Sequence, residues 1–340
     1  MKLLQVVGSP VDEFHADLST LYARGCLAAL GERHEMSVAY VSPDGLWRFP
    51  DGLSRSAIAQ APVLSLSRAI EHIERQDVSV ALPQMFCHKG MTSYRALLEV
   101  IGVPYVGNSA SVMATTADKA ATRAIVAAAG VRVPTGEVVT RGGAPTLQPP
   151  VVVKPVGADN SAGVTLVRER AAYPDALEQA FAHGDSALVE SYVELGREVR
   201  CGVVVRDGEL MVLPLEEYAV DPVTKPIRDS GDKLGRTGEG DLFLVAKDAA
   251  HAWIVSADDP ITARVADAAR RSHIALGCRH YSLFDFRIDA HGDPWFLEAG
   301  PYCSYSPSSV IAVMASAVGL SVTDLFEMSL RAMGMEHAPC

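Results

Sequence analysis

Two carboxylates, Asp285 and Glu298, frame the stretch Tyr281-Ser-Leu-Phe-Asp-Phe-Arg-Ile-Asp-Ala-His-Gly-Asp-Pro-Trp-Phe-Leu-Glu298. Asp285 sits in an alternating apolar run (Leu283, Phe284, Phe286, Ile288), His291-Gly292-Asp293 supplies turn chemistry, and Trp295-Phe296-Leu297 leads back to Glu298. The stretch therefore reads as two strands joined by a tight turn. Pairing across that hairpin brings the two carboxylates together, and a hard divalent cation with oxygen ligands, magnesium above all, relieves their repulsion. The competing reading is two acids on exposed strand faces. Glu298 counts against it, because it lies between Trp-Phe-Leu and Ala-Gly-Pro, where burial is expected and a buried carboxylate needs a partner.

Cations stand at spacings that suit phosphate. In Val151-Val-Val-Lys154-Pro a buried strand ends in a lysine, and a small-residue loop containing Ser161, Ala162 and Gly163 leads into a second strand ending near Val167. Such a loop turns backbone N–H groups onto phosphate oxygens, with Lys154 holding a second phosphate and Ser161 adding a hydroxyl. It is not a Walker A loop, since no Gly-Lys-Ser/Thr follows. An ordinary hairpin with an exposed lysine is the alternative, and the three valines and the proline around Lys154 argue against it. Asp118-Lys119 opens an alanine-rich helix expected over Ala117 to Ala129, following the caps of Asn108-Ser-Ala-Ser and ended by Gly130. A cation there gains nothing from the helix dipole, so an anionic ligand or plain solvent exposure accounts for it. From Glu190-Ser191-Tyr192-Val193 to Glu198 the chain reads as strand, bend and strand; backbone groups at such a junction suit an adenine edge, and Glu198 suits ribose hydroxyls. The polar, Gly-rich segment from Leu213 to Lys247 is long for a compact domain and reads as a lid. Its Lys225, Arg228 and Lys233 would reach a transferring phosphoryl group; a mobile loop without catalytic charge is the alternative.

The elements that must position these groups follow from periodicity. Residues Met1 to about Gly107 alternate strand and helix signals: strands at Leu3–Val7, Ser37–Val41, Val78–Leu82 and Pro104–Val106, helices at Asp17–Leu30, Leu66–Glu74 and Ser93–Ile101. This βαβ rhythm implies a parallel sheet wrapped by helices, hence an α/β (α+β) chain. The loops Gly8–His15 and Pro83–Gly90 fall at strand ends, where such sheets bind ligands. His15, Gln84, Phe86 and His88 are thus candidates to touch a substrate, although loop residues of these types are more often packed or solvated. An amphipathic helix over Pro260–Leu276 should pack beside the carboxylate hairpin with Val265, Ala269 and Ile274 to Leu276 inward, and Ser309–Ala317 and Val322–Met333 read as terminal helices.

The 340 residues suggest two or three domains, and 49% apolar against 21% charged residues indicates ample core. A net charge of −11 argues against nucleic acid or an anionic membrane as partner, while local lysines still serve a small anionic ligand. Six scattered cysteines without metal-finger spacing read as reduced thiols, and the first apolar run is too brief for a signal segment, so a soluble cytoplasmic protein is expected.

Lys119, Lys154 with its Gly163 loop, the Glu190 to Glu198 bend, and Asp285 with Glu298 occur in an order that resembles the ATP-grasp enzymes of the D-alanine–D-alanine ligase branch, from about Lys119 to Ser308. The resemblance implies an ATP-grasp fold: a Rossmann-like N-terminal domain over 1–110, a central subdomain over 111–190, and a C-terminal subdomain over 191–340 with magnesium site and lid. It implies a carbon–nitrogen ligase using ATP and Mg²⁺ and releasing ADP. Lys119 and Lys154 would bind ATP phosphates, Ser161, Ala162 and Gly163 would lie in the loop closing over them, Glu190, Ser191, Tyr192 and Val193 would frame the adenine, and Glu198 the ribose. Asp285 and Glu298 would ligate magnesium. Apart from the resemblance, Lys225 and Lys233 of the lid segment and Arg287 near the hairpin are the candidates for catalytic groups. D-alanine ligases carry Asn two residues after the last metal carboxylate, where Gly300 stands here. They also carry an arginine two residues before the first, where this chain has Leu283; that arginine stabilises the acyl phosphate and the tetrahedral oxyanion.

A further similarity covers nearly the whole chain. Asp17–Ala23, Pro43–Pro50, Leu82–Cys87, Glu194–Gly202, Cys278–Asp289 and Pro294–Gly300 look like the ligase that completes mycosporine-like amino acids. That family joins a free amino acid such as Ser, Thr or Gly to mycosporine-glycine, through a phosphorylated enol, giving a disubstituted UV-absorbing cyclohexenimine, ADP and phosphate. Arg279, His280, Tyr281, Arg287 and Tyr302 lie near the carboxylate hairpin and would hold substrate carboxylates or the ring, with Arg200, His15, Gln84 and Phe86 as further substrate candidates. The partners would be small molecules, with a homodimer admitted. A dipeptide ligase acting through an acyl phosphate is the alternative within the fold. A non-catalytic ATP-binding scaffold is the alternative from another class, and retention of both metal carboxylates counts against it.

Overall fold

The computed structural model describes residues 1–158, 161–194, 196–221, 224, 226–227, 234–236, 242–244 and 251–335, with backbone only for 234–236 and 242–244. The first sheet is built from β1 (Lys2–Gly8), β2 (Glu35–Val41), β3 (Trp47–Arg48) and β4 (Val80–Pro83), in the order β3-β2-β1-β4. The central β1 is parallel to both β2 and β4, as the βαβ rhythm requires, and β3 is antiparallel. The helices of this region are α1 (Glu13–Leu30), α2 (Arg55–Gln60), α3 (Leu66–Arg75), α4 (His88–Met91) and α5 (Ser93–Val100). α1 starts four residues earlier than its apolar spacing suggests, because the Asp12 carboxylate accepts the His15 N–H and caps it. The expected strand at Pro104–Val106 is a single bridge, Ala81 to Tyr105. The chain then turns at Gly107 (φ 109°), where a Cβ would lie 2.5 Å from the Tyr281 hydroxyl.

The alanine-rich stretch forms two helices rather than one. α6 (Ala110–Ala117) is capped by Ser109, and Asp118 leaves helical geometry to cap α7 (Lys119–Ala128) through the Ala121 N–H. Beyond them, β5 (Gly136–Thr140), β6 (Val151–Pro155), β7 (Thr165–Val167) and β8 (Ser186–Ser191) make an antiparallel sheet in the order β5-β8-β6-β7, packed on α8 (Tyr173–Phe181).

The largest sheet contains β9 (Arg197–Arg206), β10 (Glu209–Val212), β11 (Glu216–Tyr218), then, past the two-stranded pair β12 (Leu234–Arg236) and β13 (Leu242–Leu244), β14 (Ala252–Ile254), β15 (Tyr281–Ile288) and β16 (Pro294–Ala299). Its order is β14-β11-β9-β15-β16, with β10 on β9. The period of two along β15 sorts its side chains. Phe284, Phe286 and Ile288 join Val199, Cys201 and Val203 of β9 beneath α9 (Pro260–Ala275), whose Val265 and Ala269 are fully buried. Ile274 of α9, expected inward, is exposed. On the other face Tyr281 and Leu283 enter a second core shared with Leu3 and Leu82 of the first sheet and with α10 (Val310–Ser316) and α11 (Val322–Ala332). Asp285 and Arg287 continue that second face beyond the apolar packing, which delivers them to the cleft between the large sheet and the β5–β8 sheet. No helix among the described residues is long and apolar enough to cross a membrane.

Candidate active site

Asp285 and Glu298 are direct cross-strand partners in the β15–β16 hairpin, with an irregularity in register immediately after Asp285. The turn that sets this register is fixed by Asp289, whose carboxylate accepts the His291 and Asp293 N–H groups and the Trp295 indole N–H. Both carboxylates line a cleft that opens to solvent. The pair offers oxygen donors only. Among the described residues no third His, Cys, Asp or Glu completes a cluster of three around them. Such a donor set fits one hard cation that fills its remaining positions with phosphate oxygens and water.

Across the cleft, Lys154 at the end of β6 is buried and reaches Glu190 of the neighbouring β8 at 2.6 Å. Glu190 also accepts from Arg123 Nε of α7 at 3.2 Å. Lys154 Nζ further donates to the Leu297 carbonyl at 3.4 Å, one residue from Glu298, so the two sheets meet through it. Lys119, first residue of α7 and buried, donates through Nζ to the Ala158 carbonyl, while its backbone N–H bonds Val156 O at 3.0 Å. The lysine is thereby tied to the start of the loop containing Ser161, Ala162 and Gly163. Ser161 lines the cleft. Gly163 has φ 67°, and a Cβ there would stand 2.8 Å from the His183 ring and 3.1 Å from the Gln179 carbonyl, so only glycine lets the loop fold onto α8.

At the other end of the cleft, Ser191 N–H donates to Thr135 O and Tyr192 N–H to Pro150 O, which fixes the segment Glu190–Val193. Arg287 lies over the Tyr192 ring at 5.3 Å and donates to Glu198 (2.9 Å), Val193 O (3.3 Å) and Pro226 O (2.9 Å). Its guanidinium, which lines the cleft, thus ties the bend to Pro226. Lys225, Arg228 and Lys233 lie outside the described residues.

Arg200 of β9 stands directly opposite Asp285 in register and grips it with two hydrogen bonds, Nε to Oδ1 at 2.7 Å and Nη2 to Oδ2 at 3.1 Å. Its guanidinium also faces the Tyr218 ring at 5.4 Å. Beyond Arg200 the first sheet contributes Phe86, whose ring meets Tyr22 of α1 at 5.3 Å and Tyr302 at 5.8 Å. Tyr218 and Arg123 have no sequence signal of function, each sitting at ordinary helix or strand spacing, and Tyr22 has none beyond its place in the stretch Asp17–Ala23. His15 Nδ1 is held by both oxygens of Asp12 at 2.8 and 2.9 Å at the start of α1. Gln84 is buried and donates to Ser304 O at 2.7 Å. His88 is the first residue of α4, and its carbonyl accepts the Thr92 hydroxyl at 2.7 Å.

Three expected substrate ligands are placed elsewhere. The Arg279 guanidinium donates to Gly107 O (3.0 Å), and His280 Nδ1 accepts the Gly107 N–H (2.8 Å). Tyr281 is buried in the core shared by the two large sheets. Asn108, fully buried, completes this clamp by donating to Tyr281 O and Pro301 O and accepting the Arg279 N–H at 2.7 Å. Arg279, His280 and Tyr281 hold the first sheet's exit segment against the large sheet, at the end of β15 far from Asp285 and Arg287. Burial pushes the His280 pKa down to about 4.

A cleft between two antiparallel sheets, lined by Lys154 on one wall and by Asp285 and Glu298 on the other, defines an ATP-grasp enzyme. Residues 136–330 match the family described as D-ala D-ala ligase C-terminus. A D-alanine--D-alanine ligase of Citrifermentans bemidjiense is 28% identical over 76% of this chain and 78% of its own length. One of Gluconobacter oxydans is 32% identical over 70% of this chain and 74% of its own. The crystal structure of the Bacillus anthracis D-alanine--D-alanine ligase complexed with ATP superposes with a TM-score of 0.71 at 19% identity, covering 99% of this chain and 100% of that one. The chain belongs to the D-alanine–D-alanine ligase family and is an ATP-using, ADP-forming carbon–nitrogen ligase.

Proposed function

We propose that this ligase joins the amine of a free amino acid to mycosporine-glycine. The ring ketone oxygen attacks the ATP γ-phosphorus and releases ADP; the amine then forms a C–N bond at that ring carbon as the C–O bond to phosphate breaks and the amine gives up its proton. A vinylogous amide oxygen is electron-rich enough for the first step. The observation that carries the reading is at Leu283. Where a D-alanine ligase would present its acyl-phosphate arginine, this side chain is buried in the core among Tyr281, Val204 and Ile311. The cation beside Asp285 comes instead from β9, as Arg200.

In this reading Lys119, Lys154 and Ser161 hold ATP phosphates, the Glu190–Val193 segment the adenine, and Glu198 the ribose. Asp285 and Glu298 would hold Mg²⁺, which would neutralise phosphate charge. The residues' own contribution is positioning and a fixed field around the phosphates. The chain divides into 1–110, 111–190 and 191–340. A dipeptide ligase acting through an acyl phosphate is the second reading, and the names of the relatives favour it, each being a D-alanine--D-alanine ligase. ADP release and product mass, measured with ATP, Mg²⁺, mycosporine-glycine and a panel of amino acids, each omitted in turn, separate the two. The proposal requires both partners and a red-shifted product. ADP release with amino acids alone moves the assignment to peptide ligation.

A further inference from the structure

Three observations converge beside Asp285, where the first sheet meets the large sheet. Phe86 lies between Tyr22 and Tyr302, with ring centroids at 5.3 and 5.8 Å in edge-on arrangement, so three aromatic rings from α1, the β4 loop and the segment after β16 form one wall. Tyr302 is 36% exposed, so part of its ring is open to a ligand. Arg200 adjoins this wall: its charge acts on both Tyr22 and Tyr302. Asp285 takes its Nε and Nη2, which leaves Nη1 without a hydrogen-bond partner among the described residues.

We infer that Tyr22, Phe86 and Tyr302 form the acceptor subsite of this enzyme, selecting a flat conjugated ring whose carboxylate is met by Arg200. The inference rests on the functional reading above and names the residues that discriminate its acceptor from a small aliphatic amino acid. Ring faces and edges attract a planar π-system, and a guanidinium bound to one carboxylate through two nitrogens can still donate to a second through the third. D-Alanine offers no surface to such a wall.

The test is calorimetric binding of mycosporine-glycine to the full-length enzyme loaded with Mg²⁺ and a non-hydrolysable ATP analogue, for wild type, Phe86→Ala, Tyr302→Ala and Tyr302→Phe. Loss of a stacking ring should weaken acceptor binding by about tenfold or more in the two alanine variants, with Tyr302→Phe close to wild type. Analogue affinity should hold within about twofold in all of them, which also reports that they are folded. Wild-type binding that both alanine variants retain overturns the subsite while leaving the reaction in place. No binding of mycosporine-glycine by wild type, with ADP release driven by amino acids alone, overturns the functional reading and the ligand assigned to the subsite together.

Discussion

Glu298 and Lys154 test the two walls of the cleft separately. Glu298→Gln keeps size and hydrogen bonding but removes the charge opposite Asp285, so turnover should be lost while the thermal unfolding midpoint stays near wild type. An active Gln variant would refute the metal assignment. Lys154→Ala should lower ATP affinity by roughly tenfold or more, since a buried charge-assisted donor is removed. It should also cost stability, on the order of 3 kcal/mol, because buried Glu190 would keep only Arg123. Unchanged nucleotide affinity by equilibrium titration would reject the phosphate role.

At the scale of elements, the segment joining the first sheet to α6 is held by one side chain. Asn108 satisfies three backbone groups, two carbonyls and an N–H, from residues that are 171 to 193 positions away in the chain. Asn108→Ala leaves all three without their partner in a site that water does not reach, so a loss on the order of 3 kcal/mol or more is expected in denaturant unfolding. An effect below about 1 kcal/mol would mean that the clamp is held by Arg279 and His280 instead. Sequence reading treats Asn108 only as part of a run of helix caps, since none of its partners is local. The same limit explains the helix at 110–128. Its composition is uniformly helical, and the break at Asp118 is visible only once Lys119 is seen bound to Val156 and Ala158 beyond the end of β6.

Over the whole molecule, acid should loosen the union of the first sheet with the large sheet. His280 accepts the Gly107 N–H through Nδ1, which requires the neutral ring, and burial lowers its pKa to about 4. A depressed folded-state value means that the stabilisation is complete above the ordinary histidine pKa of about 6.5 and is lost as pH falls towards 4. The full loss from this group is on the order of 3 kcal/mol. Buried His273, bonded to Ser282 and also lowered to about 4, acts in the same direction. Unfolding free energies measured between pH 7 and pH 4.5 should therefore fall more steeply for wild type than for His280→Gln; parallel slopes would remove His280 as the cause.

Local pattern alone determines the parallel first sheet, the hairpin that pairs Asp285 with Glu298, the strand bearing Lys154 and the order of the phosphate and nucleotide candidates. Each depends on a period, a turn or a charge within a few residues, and those are properties of the chain itself. Tertiary structure decided what no local pattern carries. It set Arg200 beside Asp285 through strand register, turned Arg279, His280 and Tyr281 away from the cleft, spent Arg287 on Glu198 and Val193, and gathered Tyr22, Phe86 and Tyr302 from three distant segments. The physical reason is that a side chain's neighbours across strands and helices are fixed by which elements pack, and packing is a property of the whole core rather than of any window of sequence.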